Sequence, residues 1–199
     1  PEAFVYCVKM EQIDLPEGLI AIYPAAFGGC WSLKEIDIPD TVQAIGSAAF
    51  AECTSLKHVS FPASAVYMEP GMFMMAAVES LDVDPDNPTY YSENSVMFVH
   101  DNESFAITDP VLFCYPPRKP GATYTIPDGV VGIMDYGFAY NTLITEVTIP
   151  ASVRLVGYGA FGECSSLTKL IFLGDAPKFI DGIPDGRGKA LYDISTVIP

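Results

Sequence analysis

The residues whose types could do chemistry are few: five cysteines, two histidines and one run of alternating aspartates. Cys7, Cys30 and Cys53 are spaced 23 residues apart, and Cys164 follows Phe161-Gly162-Glu163 much as Cys53 follows Phe50-Ala51-Glu52. Zinc sites are built from C-x-x-C pairs, and none occurs. Residues stacked in register keep their Cβ atoms about 4.8 Å apart, outside the range a disulfide needs. These four thiols therefore read as a buried ladder of small hydrophobes, and Cys114, off that spacing, as part of a hairpin core. Nucleophilic catalysis needs a base beside the nucleophile. The only candidates are His58 and His100, and no G-x-S-x-G, H-E-x-x-H or phosphate-loop motif accompanies them. No enzyme and no cofactor is expected. Asp82-Val83-Asp84-Pro85-Asp86-Asn87 has the alternation of a calcium loop but lacks its glycine and distal glutamate, so no metal site is expected either. Asn102-Glu103-Ser104 matches a glycosylation sequon, a match that arises readily by chance.

Composition narrows the classes further. Ten Lys plus Arg against 25 Asp plus Glu give a net charge of −15. Nucleic acids are bound by neutralising phosphates with basic side chains, which disfavours a nucleic-acid partner, and docking on anionic lipid is disfavoured likewise. Half of the 199 residues are apolar, which excludes a disordered chain. No apolar run approaches the roughly 20 residues of a membrane-spanning helix.

The elements that would position these residues are repeats. Leu15–Asp37, Ile38–Ser60 and Ile149–Ile171 superimpose without a gap, Ile126–Thr148 fits equally well, and Phe61–Val83 fits through its Phe and then slips by one residue. A Phe column runs through Phe4, Phe27, Phe50, Phe73, Phe138 and Phe161. Around Leu33–Pro39 and Leu167–Ile171, apolar and polar residues alternate with period two, the signature of a short strand. Pro follows at 16, 39, 62, 127 and 150 and ends the strand by removing an amide donor. The Ala-Phe segment reads as a tight helical turn. One such unit cannot bury its apolar edge alone, so the units must stack.

The pattern L-x-x-I-x-I-P…I-G…A-F-x-x-C-x-x-L closely resembles the leucine-rich repeats of BspA-like bacterial surface proteins, also described as the Treponema-type family. It is carried best by Trp31–Pro39 and Ile45–Cys53. The resemblance implies an α/β repeat solenoid, a right-handed horseshoe of short parallel β-strands with short helical turns. It implies a secreted or cell-surface location and a role in adhesion to host matrix proteins or other bacteria. The expected organisation is leucine-rich repeats over 1–83, starting mid-repeat; an irregular insert with a β-hairpin over 84–125; repeats again over 126–171; and a C-terminal cap over 172–199. Ala3, Phe4, Cys7, Met10 and Ile13 already fall on repeat columns, so the chain reads as a piece of a longer protein. The hairpin is placed at 96–115, leaving the coil and presenting His100–Pro110 to solvent.

Binding is expected on the concave strand face or the hairpin. Alternation assigns one exposed column to Gln12, Glu35, His58, Glu146 and Lys169, and a second to Asp14, Asp37, Ser60, Thr148 and Ile171. Asp14, Glu35 and Asp37 would receive a basic segment of a protein partner, with His58 beside Glu35 on the same face. Trp31, Tyr90 and Tyr91 are the aromatic candidates. The alternatives are a structural spacer within a larger surface protein, or a glycan-binding module.

Overall fold

The computed structural model describes residues 1–100 and 110–179. The expected loop at 101–109, the sequon within it and the cap residues 180–199 lie outside the described residues. The first strands are β1 (Ala21–Ile22), β2 (Ala44–Ile45), β3 (His58–Phe61), β4 (Tyr67–Met68) and β5 (Ser80–Val83). They are followed by β6 (Tyr90–Glu93), β7 (Val96–Val99), β8 (Val111–Cys114), β9 (Thr123–Thr125) and β10 (Gly132–Ile133). The last are β11 (Glu146–Ile149), β12 (Leu155–Val156), β13 (Lys169–Phe172) and β14 (Lys178–Phe179).

Each coil contributes to two ladders. The front ladder holds the alternating motif. In β3, Val59 and Phe61 are buried while His58 and Ser60 are exposed, and β3 pairs in parallel with β5 through His58↔Ser80 and Ser60↔Asp82. Farther along, β9, β11 and β13 form a second front sheet, with Val147 between Tyr124 and Leu170. The back ladder is made of two-residue strands around the Ile-Gly motif. β1, β2 and β4 pair in parallel, with Ile22, Ile45 and Met68 turned inward. Gly46 is required there by close approach: a Cβ on it would lie 2.5 Å from the Pro24 nitrogen of the coil before. Glu35–Ile38 keep the front alternation, with Ile36 buried between exposed Glu35 and Asp37, but form no strand. Like charges at equivalent positions, here Asp14 and Asp37, disfavour closing a ladder between neighbouring coils.

The turn between the ladders is not helical, and no helix occurs among the described residues. In each coil the residues two before and two after the column Phe have positive φ: Ala25 and Gly29, Ala48 and Glu52, Gly71 and Met75. A left-handed residue every fourth position breaks a right-handed helix. The freed amides turn to the next coil instead: Ala25 N–H to Ser47 O, Phe27 N–H to Ala49 O and Gly29 N–H to Ala51 O, at 2.8–3.0 Å. The expected helical turn is thus a third inter-coil ladder. Inside it the Phe rings stack, Phe4 on Phe27 at 5.4 Å, Phe27 on Phe50 at 5.7 Å and Phe50 on Phe73 at 5.6 Å. Fully burying each such ring stabilises the coil by about 1.5–3 kcal/mol.

Strands β6, β7 and β8 cross the solenoid as a wall. β6, β7 and β8 pair antiparallel, β7 and β8 as the two strands of the expected hairpin, and β8 joins β10 in parallel, so these strands continue the back ladder. All four residues of β7 are buried. Met97 and Val99 pack into the core of the N-terminal coils, Val96 and Phe98 into that of the C-terminal coils. The tight β6–β7 turn is made by Asn94 and Ser95, both at positive φ. Repeat spacing resumes at Tyr115, whose ring stacks on Phe138 at 4.9 Å, and at Tyr124, which pairs with Val147.

Candidate functional site

Three side-chain columns run down the front face of the N-terminal coils. The outermost holds Glu11, Lys34, Lys57 and Glu79. Lys34 Nζ lies 2.6 Å from Glu11 Oε2, and Lys57 Nζ lies 2.8 Å from Glu79 Oε1. The hydrogen bond from Lys34, together with its charge, holds the Glu11 carboxyl below the usual range. Both lysines are therefore committed within the molecule. The middle column holds Gln12, Glu35, His58 and Ser80. His58 Nδ1 meets Ser80 Oγ at 2.9 Å, and its Nε2 lies 3.8 Å from Asp82 Oδ2. The third holds Asp14, Asp37, Ser60 and Asp82, and it carries no lysine or arginine.

Beside the third column an open cleft is lined by Asp37, Asp40, Asp82 and Asp84, with Ser60 among them and Phe61 beneath. Four carboxylates, two from each of two front segments with Ser60 of the coil between them, thus line one space. Asp37 and Asp40 have no salt-bridge partner among the described residues. The C-terminal coils differ. There the third column is Thr125, Thr148 and Ile171, and the one acid of the middle column, Glu146, is paired with Lys169 at 2.9 Å. The face is acidic at one end and nearly neutral at the other. A cationic segment is drawn to such a field, and side-chain pairing with Asp would follow the cross-coil Lys–Glu geometry already present.

Of the residues singled out from sequence, Asp37 lines the cleft, and exposed Asp14, Glu35 and His58 sit in its columns. Trp31 is 48% exposed in the turn ahead of the front segment, where its carbonyl accepts a hydrogen bond from Thr54 Oγ1. Tyr90 is a correction: it is 1% exposed, its ring edge-on to Phe113 at 5.1 Å, and offers no surface to a ligand. Its hydroxyl is spent on Met68, satisfying backbone groups that the end of the β1–β2–β4 ladder leaves open. Tyr91 is half-buried between Phe98 and His100. Sequence reasoning does not reach Asp40, and weighs Asp82 and Asp84 only as part of a calcium loop. The one-residue slip after Phe73 hid the register that puts Asp82 beside Ser60.

Asp84 Oδ1 accepts the Asp86 N–H at 2.8 Å. Buried Asn87 donates to the carbonyls of Pro62 and Ala65 and accepts from the amides of Thr89 and Tyr90, which anchors the start of the wall. Among the described residues no three His, Cys, Asp or Glu are grouped to hold a metal ion. The thiol column is more than hydrophobic filling. Cys30, Cys53 and Cys164 each donate Sγ–H to the carbonyl of the preceding coil's column Phe, at 3.1–3.2 Å. In the same column Asn141 donates to the Pro116 carbonyl at 2.9 Å. Cys7 is exposed, and all five cysteines are free. Burial pushes the Cys53 thiol up to about 12.

The sequence model of the BspA type leucine rich repeat region matches residues 1–111 and 121–182 in six copies. Among solved structures the chain is similar to a leucine rich cell surface protein from Faecalibacterium prausnitzii A2-165. The two are 28% identical with a TM-score of 0.75, over 86% of this chain and 44% of that one. The pneumococcal vaccine antigen PcpA matches at 23% identity and a TM-score of 0.72, over 82% of this chain and 39% of that one. A leucine-rich repeat protein from Eubacterium ventriosum matches at 20% identity and a TM-score of 0.52, over 83% of this chain and 61% of that one. The last two likenesses speak for the fold alone. The chain spans less than two thirds of each of these relatives. No curated protein matches it.

Proposed function

We propose that this chain, which belongs to the BspA-type leucine-rich-repeat family, is a protein-binding module of a bacterial cell-surface protein that takes a basic segment of its partner on the acidic end of its front face. The observation that carries this is the cleft of Asp37, Asp40, Asp82 and Asp84, set beside lysines already bound to Glu11 and Glu79. Asp37 and Asp82 stand two rungs apart with Ser60 between them, about 10 Å at the usual strand spacing, where like charges repel by roughly 0.4–2 kcal/mol at effective dielectrics of 80 to 20, a strain that a cationic guest would relieve. The cell-surface setting is supported by family membership and by the likeness to the Faecalibacterium surface protein. A partner in adhesion, whether a host matrix protein or another bacterial surface protein, fits the same reading. The glycan alternative loses Tyr90 as an aromatic platform.

The test is binding of lysine-rich and glutamate-rich peptides of equal length, followed by fluorescence anisotropy across a salt series. The lysine-rich peptide should bind, with affinity falling as salt rises. The triple change Glu35→Gln, Asp37→Asn and Asp82→Asn should weaken it by roughly tenfold or more and flatten the salt slope, as expected for the loss of about three rim charges. Equal binding of both peptides, or no effect of the triple change, would refute the acidic-face reading.

A further inference from the structure

One group on the acidic end of the front face can change its charge near neutral pH. The parallel pairing of β3 with β5 sets His58 opposite Ser80 and Ser60 opposite Asp82, so the imidazole stands diagonally across from Asp82. Nδ1 meets Ser80 Oγ at 2.9 Å, and this contact turns the ring so that Nε2 faces Asp82 Oδ2 at 3.8 Å. A neutral imidazole can accept the Ser80 hydroxyl at Nδ1 and keep its own proton on Nε2, whereas imidazolium donates from both nitrogens. A hydroxyl serves either form by rotating, so gaining the proton requires no movement of the ring. Among the described residues no other cation lies within salt-bridge distance of Asp82. The remaining charged groups around His58 are Glu35 and Asp37 on the segment before it, and Lys34 and Lys57, held by Glu11 and Glu79. Beneath it lie the buried aliphatic side chains of Val59 and Leu81.

We propose that His58 is a pH switch on the acidic cleft: protonated, it pairs with Asp82 and withdraws that carboxylate from a cationic guest; neutral, it leaves Asp82 to the guest. Asp82 lines the cleft with Asp37, Asp40 and Asp84, so an imidazolium at its rim also weakens the field that draws the guest in. Imidazole is the side chain whose ordinary charge change falls between about pH 5 and 8. Carboxylates stay ionised and lysines stay charged across that window. The sign follows from competition. Proton and guest act on one carboxylate in opposite senses, so partner affinity rises as pH rises through the window. By linkage, a bound guest must make His58 release its proton at lower pH. One exposed charge pair sets the size of the effect, roughly two- to fivefold in affinity. The C-terminal coils lack the device, because their middle column places Glu146 and Lys169 against each other.

This inference rests on the acidic-face reading, and its test separates the two. The probe is the lysine-rich peptide, capped at its N-terminus by a pH-insensitive dye and amidated at its C-terminus, so that its own charge stays constant. Its affinity for the whole chain is read by fluorescence anisotropy at fixed ionic strength from about pH 5.5 to about pH 8. Circular dichroism at each pH establishes that the fold is unchanged. Wild type should bind roughly two- to fivefold more tightly at the upper end. His58→Gln, which offers Ser80 a hydrogen bond without a charge, should give a flat profile. His58→Arg, a fixed cation, should be flat at the weaker level. His100→Gln, which removes the other histidine, should keep the wild-type profile. Nuclear magnetic resonance titration of the His58 ring should place its midpoint at lower pH with the peptide bound than without it. Salt-dependent binding whose pH profile is flat in wild type, or survives in His58→Gln, would overturn the switch and leave the acidic face standing. Absence of binding at every pH would overturn both.

Discussion

The Tyr90 hydroxyl accepts the Met68 N–H at 2.9 Å and lies 3.3 Å from the Met68 carbonyl, to which it donates. One side chain from the wall thus closes the open end of the β1–β2–β4 ladder, doing with a hydroxyl what the next strand would have done with its backbone. Tyr90→Phe keeps the ring and its contact with Phe113 but leaves two buried backbone groups unsatisfied. A loss of about 1–3 kcal/mol is expected. Urea unfolding followed by circular dichroism measures it, and a midpoint equal to wild type would show that water replaces the hydroxyl.

Ala48 sits at φ 54° in the turn ladder, where Gly71 and Gly159 stand in other coils. The left-handed conformation costs an L-residue about 1–2 kcal/mol, and glycine gives back up to about 1 kcal/mol in chain entropy. Ala48→Gly should therefore leave stability unchanged or raise it by up to about 1 kcal/mol, whereas glycine in a helix would lower it by that amount. A clear drop in melting temperature would restore the helical reading of the turn.

Much of this fold is legible in the residues. The Phe column predicts the stack from Phe4 to Phe73, and the alternation around Leu167–Ile171 predicts β13. The turn is not legible, because left-handed φ at Ala25, Ala48 and Glu52 leaves no mark in side-chain type. The antiparallel pair β7–β8 falls where the sequence places a hairpin, but its burial on both faces is not legible. Val96–Val99 is buried on both faces because two cores meet there, a consequence of long-range packing rather than local pattern. Tyr115 and Tyr124 do lie 23 residues before Phe138 and Val147, but Tyr in place of Phe and an aliphatic residue disguises the column. Alternation alone puts Asp14, Asp37 and His58 on the front face, while the cleft residues Asp82 and Asp84 need the slipped register of β5.

Asn141 is fully buried and bonded at both ends of its amide. Nδ2 donates to Pro116 O at 2.9 Å, and Oδ1 accepts the amides of Leu143 and Ile144 at 3.0 and 2.8 Å. Asn141→Ala strands a carbonyl and two amides and should cost about 2–4 kcal/mol, a small number of unsatisfied groups at about 1–3 kcal/mol each with partial relief by relaxation. Asn141→Cys restores the thiol donor that Cys53 and Cys164 supply in this column and should be the milder change. The order of the two unfolding midpoints decides it: equal losses would mean the Sγ–H bonds contribute nothing.

The thiols also set an alkaline limit. Burial pushes Cys53 and Cys164 up to about 12 from an ordinary value of 9.0, because a thiolate inside the column would be desolvated. Tyr90 is pushed by burial to about 12 from 10.0. In each case the native state holds the proton more tightly than the unfolded chain. This stabilising contribution is complete below the unfolded value and is lost as pH rises through the window from about 9 to about 12. Stability should therefore be flat through neutrality and fall steeply above pH 9.0, and Cys53→Ala should soften the fall while lowering the neutral plateau. The same burial predicts reactivity, since alkylation needs the thiolate. Iodoacetamide at mildly alkaline pH should label exposed Cys7 first and leave Cys53 unmodified until denaturant is added. Peptide mapping by mass spectrometry reads the order, and early labelling of Cys53 in the native protein would show that the column opens to solvent and that the stacked coils around Phe50 do not hold it shut.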